Sequence, residues 1–210
     1  MKGAKAWKQD FPAWFSQVQT ITLKAAGEDT YVHGLTYSPS TSEEGITAEL
    51  VLGPAGEAGC SAENYDGIDV EGKIVLTQRF RCPTGGTLAG RVLPAAERGA
   101  AAVIIYSDTS TKPTAGSLGE VDLDKYVPAG YIYQSDGEAL KERLEAGETI
   151  ETYFQQTQIV EERITQNLIV ETEEGDPHNI IMVRARDRMT SSTTFTRLLS
   201  NKVHVLTNIN

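Results

Sequence analysis

The sequence predicts an α/β (α+β) fold in which short helices lie against a compact sheet, and three observations support this. Two strand segments, 73–76 and 101–106, are almost entirely apolar. A helical-looking segment at 93–99 lies between them. A further strand and helix follow at 127–133 and 135–144. Strands and helices that alternate with short links are typical of a sheet covered by helices.

The N-terminal part of the chain predicts one strand. Residues 16–23 alternate polar and apolar side chains, as a half-buried strand does, and the first 40 residues otherwise lack a regular pattern. Trp7, Trp14 and Phe15 need a surface on which to pack, and clustered aromatic side chains form core more often than a binding platform. We therefore expect them to pack against a further domain.

The sheet itself is expected to begin with a strand at 46–52, which a Gly-Pro pair ends. A short turn or helical turn at 61–66 precedes the next strand, at 74–78. The apolar residues of 101–106 are continuous rather than alternating. That strand should therefore be buried on both faces, as a central parallel strand is.

The first helix is expected between 88 and 99. Leu88, Val92 and Ala95 share one of its faces, and Gly99 is placed to end it. Pro94 lies inside this window and has no backbone N–H to donate, so the helix begins either near Leu88 or at Pro94 itself.

The second helix is expected at 135–144. Ser135 is placed as its N-cap, and Glu138 follows three residues later as the acid of a capping box. Gly147 is placed to terminate it.

Composition and charge exclude several classes of function. The 210 residues are 40% hydrophobic, which is enough for the core of one domain with extensions. A net charge of -10 disfavours binding to nucleic acid and to anionic membrane surfaces. There is no apolar run of the roughly 18 residues that a membrane-spanning helix needs. The N-terminus lacks the apolar stretch of a signal peptide, so the protein is cytosolic or its signal lies upstream.

The two cysteines, Cys60 and Cys82, are too few for a disulfide-stapled scaffold or a zinc knuckle. They are either two unrelated buried thiols or one disulfide. A disulfide would close a loop of about 20 residues and stabilise the fold by about 3 kcal/mol in an oxidising compartment.

Other residues that could suggest a catalytic site have simpler explanations. Glutamate pairs without an upstream His-x-Asp are expected to be solvated surface, at 43–44, 161–162 and 173–174. The histidines are isolated along the chain: His33, His178 and His204. Ser135 and Asp136 have no partner base, and the Gly-rich run at 83–87 lacks the Lys-Ser/Thr of a phosphate-binding loop.

An ordered series of motifs spans residues 46 to 159. Its members are Gly59-Cys60, residues 70–76, Arg79, Cys82, residues 99–106, Pro128, Ile132 and residues 135–140. This series resembles the protease-associated (PA) domain. The resemblance implies a compact sheet or open barrel flanked by short helices, and it implies that Cys60 and Cys82 are bonded to each other.

The segments after this series resemble a peptidase. Residues 165–172 and 175–183 are similar to the hairpin by which co-catalytic two-zinc aminopeptidases, of the aminopeptidase Y and leucyl aminopeptidase kind, re-enter their catalytic domain. In that family Gly-Ala-His-x-Asp-Ser follows, and its His is the first zinc ligand. Residues 184–189 stand there instead; only Ala185 agrees, and Arg186 is a permanent cation in the His position.

The resemblance therefore implies zinc in the intact enzyme but neither a zinc ligand nor a catalytic residue in this chain. Four parts are expected: an N-terminal segment of an incomplete peptidase domain (1–44), the PA domain (45–160), a strand hairpin leading into the missing catalytic domain (161–183), and an aberrant polar tail (184–210). A shifted reading frame, a retained intron or an early stop would produce such a tail.

The expected function is that of an accessory domain in a zinc metalloaminopeptidase, which caps the active site and shapes the access of peptide or protein substrates. The chain alone is expected to be inactive, with its binding residues unknown. An extracellular or vacuolar location is implied by the resemblance, and self-association through uncovered strands is expected. The alternative is a free-standing module that binds a peptide or protein.

Overall fold

The protein is an α/β structure built on a mixed sheet. The computed structural model describes residues 4–119, 124–172 and 204–209, and side chains within 7–119 and 124–167. Within these residues the strands are β1 (Ala4–Ala25), β2 (Glu28–Thr30), β3 (His33–Gly34), β4 (Ile46–Leu52), β5 (Ile74–Gln78), β6 (Ala102–Tyr106), β7 (Ala129–Ile132), β8 (Ile150–Thr172) and β9 (His204–Ile209). The α-helices are α1 (Ala89–Glu97) and α2 (Gln134–Glu145), and two short 3-10 helices are Gly56–Cys60 and Ala62–Tyr65. The predicted fold class is confirmed.

The strands follow the order β2-β1-β8-β4-β5-β6-β7-β3, and β9 lies beside β8. The four strands β4 to β7 are parallel. β8 and β3 flank them as antiparallel neighbours. Ser16–Val160 form one compact unit, and the described residues of Met1–Phe15 and Glu161–Asn210 belong to a second, so that β1 and β8 each contribute residues to both units.

The side chains of the central strands alternate between two apolar clusters. The cluster that includes Val92 and Ala95 of α1 receives Val75, Val103, Ile105 and Ala129 from the sheet. The cluster that includes Leu140 of α2 receives Ile74, Leu76, Ala102, Ile104 and Ile132. Because both faces of β6 are buried, every position of this strand is apolar, as predicted for a central parallel strand.

The first helix begins at Ala89, so the earlier of its two predicted starts is correct. Pro94 lies inside α1 and removes one backbone hydrogen-bond donor from it. Gly99 ends the helix with φ +80°, and the N–H of Ala100 donates to the Ala95 carbonyl at 3.1 Å. This left-handed ending favours glycine, which explains the predicted stop at Gly99.

The predicted capping box of α2 is wrong. The helix begins at Gln134, one residue before Ser135, and its N-cap Tyr133 makes no side-chain capping bond. Ser135 Oγ lies 3.3 Å from Asp136 Oδ1, and Glu138 accepts a hydrogen bond from Gln134 Nε2 at 2.9 Å. Ser135 and Glu138 are therefore each engaged by a neighbour within the helix rather than by its first backbone N–H groups.

The expectation that the first 40 residues are mostly irregular is also wrong, because β1 is a continuous strand of 22 residues. Its neighbour in the sheet is β8, which lies far away in sequence. Side chains join the two strands as well: Ser16 Oγ donates to Gln158 Oε1 at 2.6 Å, and Thr20 Oγ1 lies 3.4 Å from Gln155 Oε1.

Part of the predicted peptidase-like segment lies outside the described residues. The hairpin at 161–183 is described only up to residue 172, within β8. The glutamate pair at 173–174, His178 and the positions 184–189 lie outside the described ranges. Residues 204–209 pair with 166–171 as an antiparallel ladder.

Candidate functional site

Cys60 and Cys82 form a disulfide, with their Cα atoms 5.5 Å apart. Cys60 ends the first 3-10 helix, and Cys82 lies buried in the loop between β5 and α1. The bond implied by the PA resemblance is therefore present. It joins two turn-rich loops at the end of β5 where α1 begins.

The buried Arg91 side chain ties the same region together. Its relative exposure is 0% although it carries a full charge. Nη1 donates to the Gly56 carbonyl at 2.8 Å, and Nη2 donates to the Pro54 carbonyl at 2.9 Å. Nη2 also donates to Thr77 Oγ1 on β5. One guanidinium therefore links a helix, a loop and a central strand.

No carboxylate balances this charge within the described residues, where Arg91 forms no ion pair and its Nε has no hydrogen-bond partner. Burial lowers the pKa of Arg91, while Tyr65 and Tyr106 act in the opposite direction. Nη1 lies 3.9 Å from Cys60 Sγ. Buried charges are normally paired. This unpaired guanidinium therefore stabilises any negative charge that develops beside it.

Arg91 was not among the predicted site residues, although its position in the sequence carries a signal. The residue follows Leu88 by three positions and precedes Ala95 by four. Both spacings place it on the apolar face of α1, because residues three and four apart share one face of a helix. A cation at such a position is unusual and indicates a buried partner.

Polar and aromatic side chains form a row where the parallel strands end. Arg79, Ser107 and Tyr133 follow β5, β6 and β7 in the register of those strands. The Arg79 N–H donates to the Tyr106 carbonyl at 2.8 Å, and the Ser107 N–H donates to the Ile132 carbonyl at 3.1 Å. In open α/β sheets, ligands bind outside the carboxyl ends of the strands.

Aromatic and charged groups build a surface on this row. The rings of Tyr31 and Tyr133 lie 5.0 Å apart between centroids, and Lys112 Nζ lies 4.5 Å from the centre of the Tyr31 ring. Arg79 Nη1 donates to both carboxylate oxygens of Asp108, at 2.9 and 3.0 Å. We call these five residues the carboxyl-edge surface. Cations beside exposed rings can bind carboxylates and aromatic side chains of a peptide.

His33 on β3 gives the folding stability a pH dependence. Burial lowers the pKa of His33 below its ordinary value of 6.5, and the positive charge of Lys112 lowers it further. The unfolded chain therefore binds a proton at a higher pH than the folded chain does. Stability is fully present above pH 6.5 and should fall as the pH drops towards the folded pKa.

The measurement is urea unfolding at about pH 7.5 and about pH 5.5. We expect the wild type to lose more stability between these values than His33→Gln does. Lys112→Gln should show an intermediate loss, because it removes the second cause of the shift. An equal loss in the wild type and His33→Gln would contradict the assignment to His33.

Zinc does not fit the described residues. They contain no group of three or more His, Cys, Asp or Glu side chains that could hold a metal ion. The glutamate pairs at 43–44 and 161–162 are exposed, as predicted for solvated surface.

No helix in the described ranges is both long and apolar enough to cross a membrane.

The aromatic residues predicted to need cover are largely exposed. In the second unit, the relative exposures of Trp7 and Trp14 are 41% and 51%. The Arg163 guanidinium lies over the Phe15 ring, 3.6 Å from its centre. These aromatic side chains therefore form apolar surface and belong to neither of the two apolar clusters.

Known proteins resemble both the central sheet of this chain and the segments on either side of it. The PA domain family model matches residues 46–140. Leucine aminopeptidase 2 of Trichophyton rubrum is 36% identical over 163 residues, which are 78% of this chain and 30% of that protein. A probable lipoprotein aminopeptidase of Mycobacterium tuberculosis is 31% identical over 177 residues, 84% of this chain and 33% of that protein. The chain thus spans about a third of the length of these relatives.

Solved structures show the same likeness. An aminopeptidase from Aneurinibacillus sp. strain AM-1 superimposes with a TM-score of 0.67 at 31% identity, covering 85% of this chain and 42% of that one. A zinc aminopeptidase from Bacillus subtilis gives a TM-score of 0.58 at 26% identity, covering 85% and 40%. Residues 46–140 therefore match the PA domain family, and the chain is homologous to about a third of the length of leucine aminopeptidases.

Proposed function

We propose that this chain is the accessory part of a secreted or vacuolar zinc aminopeptidase, and that its PA domain caps the active site and shapes the access of peptide substrates. The observation that carries the proposal is the extent of the likeness. The match to the Aneurinibacillus aminopeptidase covers 85% of the chain, whereas the PA domain occupies only residues 46–140. A free-standing binding module does not need peptidase-like flanks.

Zinc and the location follow from the same proposal. The Bacillus subtilis relative is a zinc aminopeptidase, and zinc in the intact enzyme would be held by residues other than those described here. The disulfide supports an extracellular or vacuolar location, because such bonds persist in oxidising compartments. In this proposal the carboxyl-edge surface supplies the contacts to the substrate peptide.

The chain alone is expected to hydrolyse no peptide bond, since the described residues lack a metal site. The check is to incubate the purified chain with aminoacyl-nitroanilides and zinc, and then to add a chelator. Hydrolysis that the chelator abolishes would contradict this expectation. A zinc aminopeptidase assayed in parallel shows that substrate and metal are adequate.

The accessory role can be tested in a chimera. Ser16–Val160 of this chain replaces the corresponding part of the Aneurinibacillus aminopeptidase, and the product is compared with a deletion of that part. We expect the double variant Tyr31→Ala with Lys112→Ala to raise KM about threefold or more for long peptides. The reason is that the peptide loses its contacts with one cation and one aromatic ring of the surface. KM for aminoacyl-nitroanilides should stay unchanged.

Lys141→Ala is the matched control, because Lys141 is a partly exposed lysine on α2 whose partner is Glu145. A chimera with the same kinetics as the deletion on every substrate would overturn the accessory role. If KM changes equally for short and long substrates, the carboxyl-edge surface does not contact the peptide. The accessory role itself would not be contradicted by that result.

A further inference from the structure

The two sulfurs of the disulfide lie in different surroundings. Cys60 is half-buried, whereas Cys82 is only 5% exposed. A cavity of about 230 Å³ lies beside Cys60 and is lined also by Thr84, Gly90 and Leu93, and by one carboxylate residue, Glu97. This volume holds several water molecules, so a small thiol can approach Cys60 through it. Access therefore favours attack on Cys60 rather than on Cys82.

Arg91 makes the two sulfurs chemically different as well. Its Nη1 lies 3.9 Å from Cys60 Sγ, and no carboxylate of the described residues pairs with it. A cation next to a cysteine stabilises the thiolate and lowers the pKa of the thiol. If the bond is broken, the Cys60 thiolate supplies the negative charge that the buried guanidinium lacks.

We infer that the Cys60–Cys82 disulfide is a site of reversible exchange with a dithiol reductant, and that Arg91 makes Cys60 the reactive cysteine of the reduced pair. A thiolate of the reductant attacks Cys60 Sγ; the disulfide breaks, and Cys82 leaves as a thiolate and takes a proton. The second thiolate of the reductant then attacks the reductant's own sulfur in the mixed disulfide. Cys60 leaves as a thiolate beside Arg91. The reductant becomes a disulfide, and the protein gains two electrons.

The surrounding contacts leave the fold intact in the reduced state. Neither apolar cluster includes Cys60 or Cys82. The segment around Cys60 keeps the bonds from Arg91 to the Pro54 and Gly56 carbonyls, and Asn64 Nδ2 still donates to the Ala58 carbonyl at 2.8 Å. Reduction therefore makes the segment around Cys60 more mobile while the sheet stays folded.

The chain offers a matched pair of variants for the test. Cys82→Ser leaves Cys60 alone beside Arg91, and Cys60→Ser leaves Cys82 alone. The rate of alkylation by iodoacetamide is measured against pH for both folded variants. We expect Cys60 to react about tenfold faster than Cys82 near pH 6.5, with a midpoint below the range of an ordinary cysteine. Adding Arg91→Met to Cys82→Ser should move that midpoint upward.

A Cys60 midpoint at or above the ordinary range, or faster alkylation of Cys82, would overturn the inference. A second measurement uses the wild type and does not depend on the variants. The oxidised protein is treated with glutathione, quenched with acid and digested, and the mixed disulfide is located by mass spectrometry. An adduct on Cys60 supports the inference, and an adduct on Cys82 or no adduct under native conditions contradicts it.

Discussion

Gly137→Ala is expected to destabilise the protein by about 3 kcal/mol, the upper end of the usual cost of an overpacked core. Gly137 lies buried in the first half of α2. A Cβ atom at this position would overlap Cβ and Cγ of Tyr106, at the end of β6. The helix would have to move away from the sheet, which would open the cluster around Leu140.

Urea unfolding of the wild type and Gly137→Ala measures this change in the free energy of unfolding. The matched control is Glu142→Ala, an exposed position in the same helix, which should change stability by no more than about 0.5 kcal/mol. An unchanged midpoint in Gly137→Ala would show that α2 shifts on the sheet at little cost.

Loss of the disulfide is expected to cost about 3 kcal/mol in the double variant Cys60→Ala with Cys82→Ala. The bond spans 22 positions of sequence, and a loop of that length restricts the unfolded chain by about this much. Because domains are commonly stable by about 5–15 kcal/mol, the variant should still fold but melt earlier.

Thermal melts with and without a reductant give the internal control for this expectation. The reductant should lower the midpoint of the wild type towards that of the double variant, and it should leave the double variant unchanged. A wild-type midpoint that does not respond, although thiol titration shows complete reduction, would mean that the bond does not stabilise the fold.

The central part of the fold could be predicted because its information is local. Every position of β6 is apolar since both faces are buried, so the sequence itself marks it as a central strand. Gly99 marks the end of α1 since only the left-handed region lets the chain turn back there. The disulfide was predicted through the ordered motifs of the PA domain.

The other elements depend on contacts that are distant in sequence. β1 is stabilised as a strand by β8, and no short window of sequence contains both. Ser135 satisfies the local pattern of a capping box, yet the chain enters the helix one residue earlier. Arg91 acquires its role from the carbonyls of Pro54 and Gly56, which the fold brings to it across a loop.

Successive side chains of β6 point into two different apolar clusters, and this restricts where homologous chains can gain or lose residues. Adding or deleting one residue within this strand would send Val103 and Ile105 to the α2 side and Ile104 to the α1 side. The packing of both clusters would be disrupted at once, because each exchanged side chain would meet a space that its shape does not fit. Natural insertions in related sequences should therefore be absent from β5 and β6 and should concentrate in exposed loop segments such as 108–112, which contribute no side chain to either cluster.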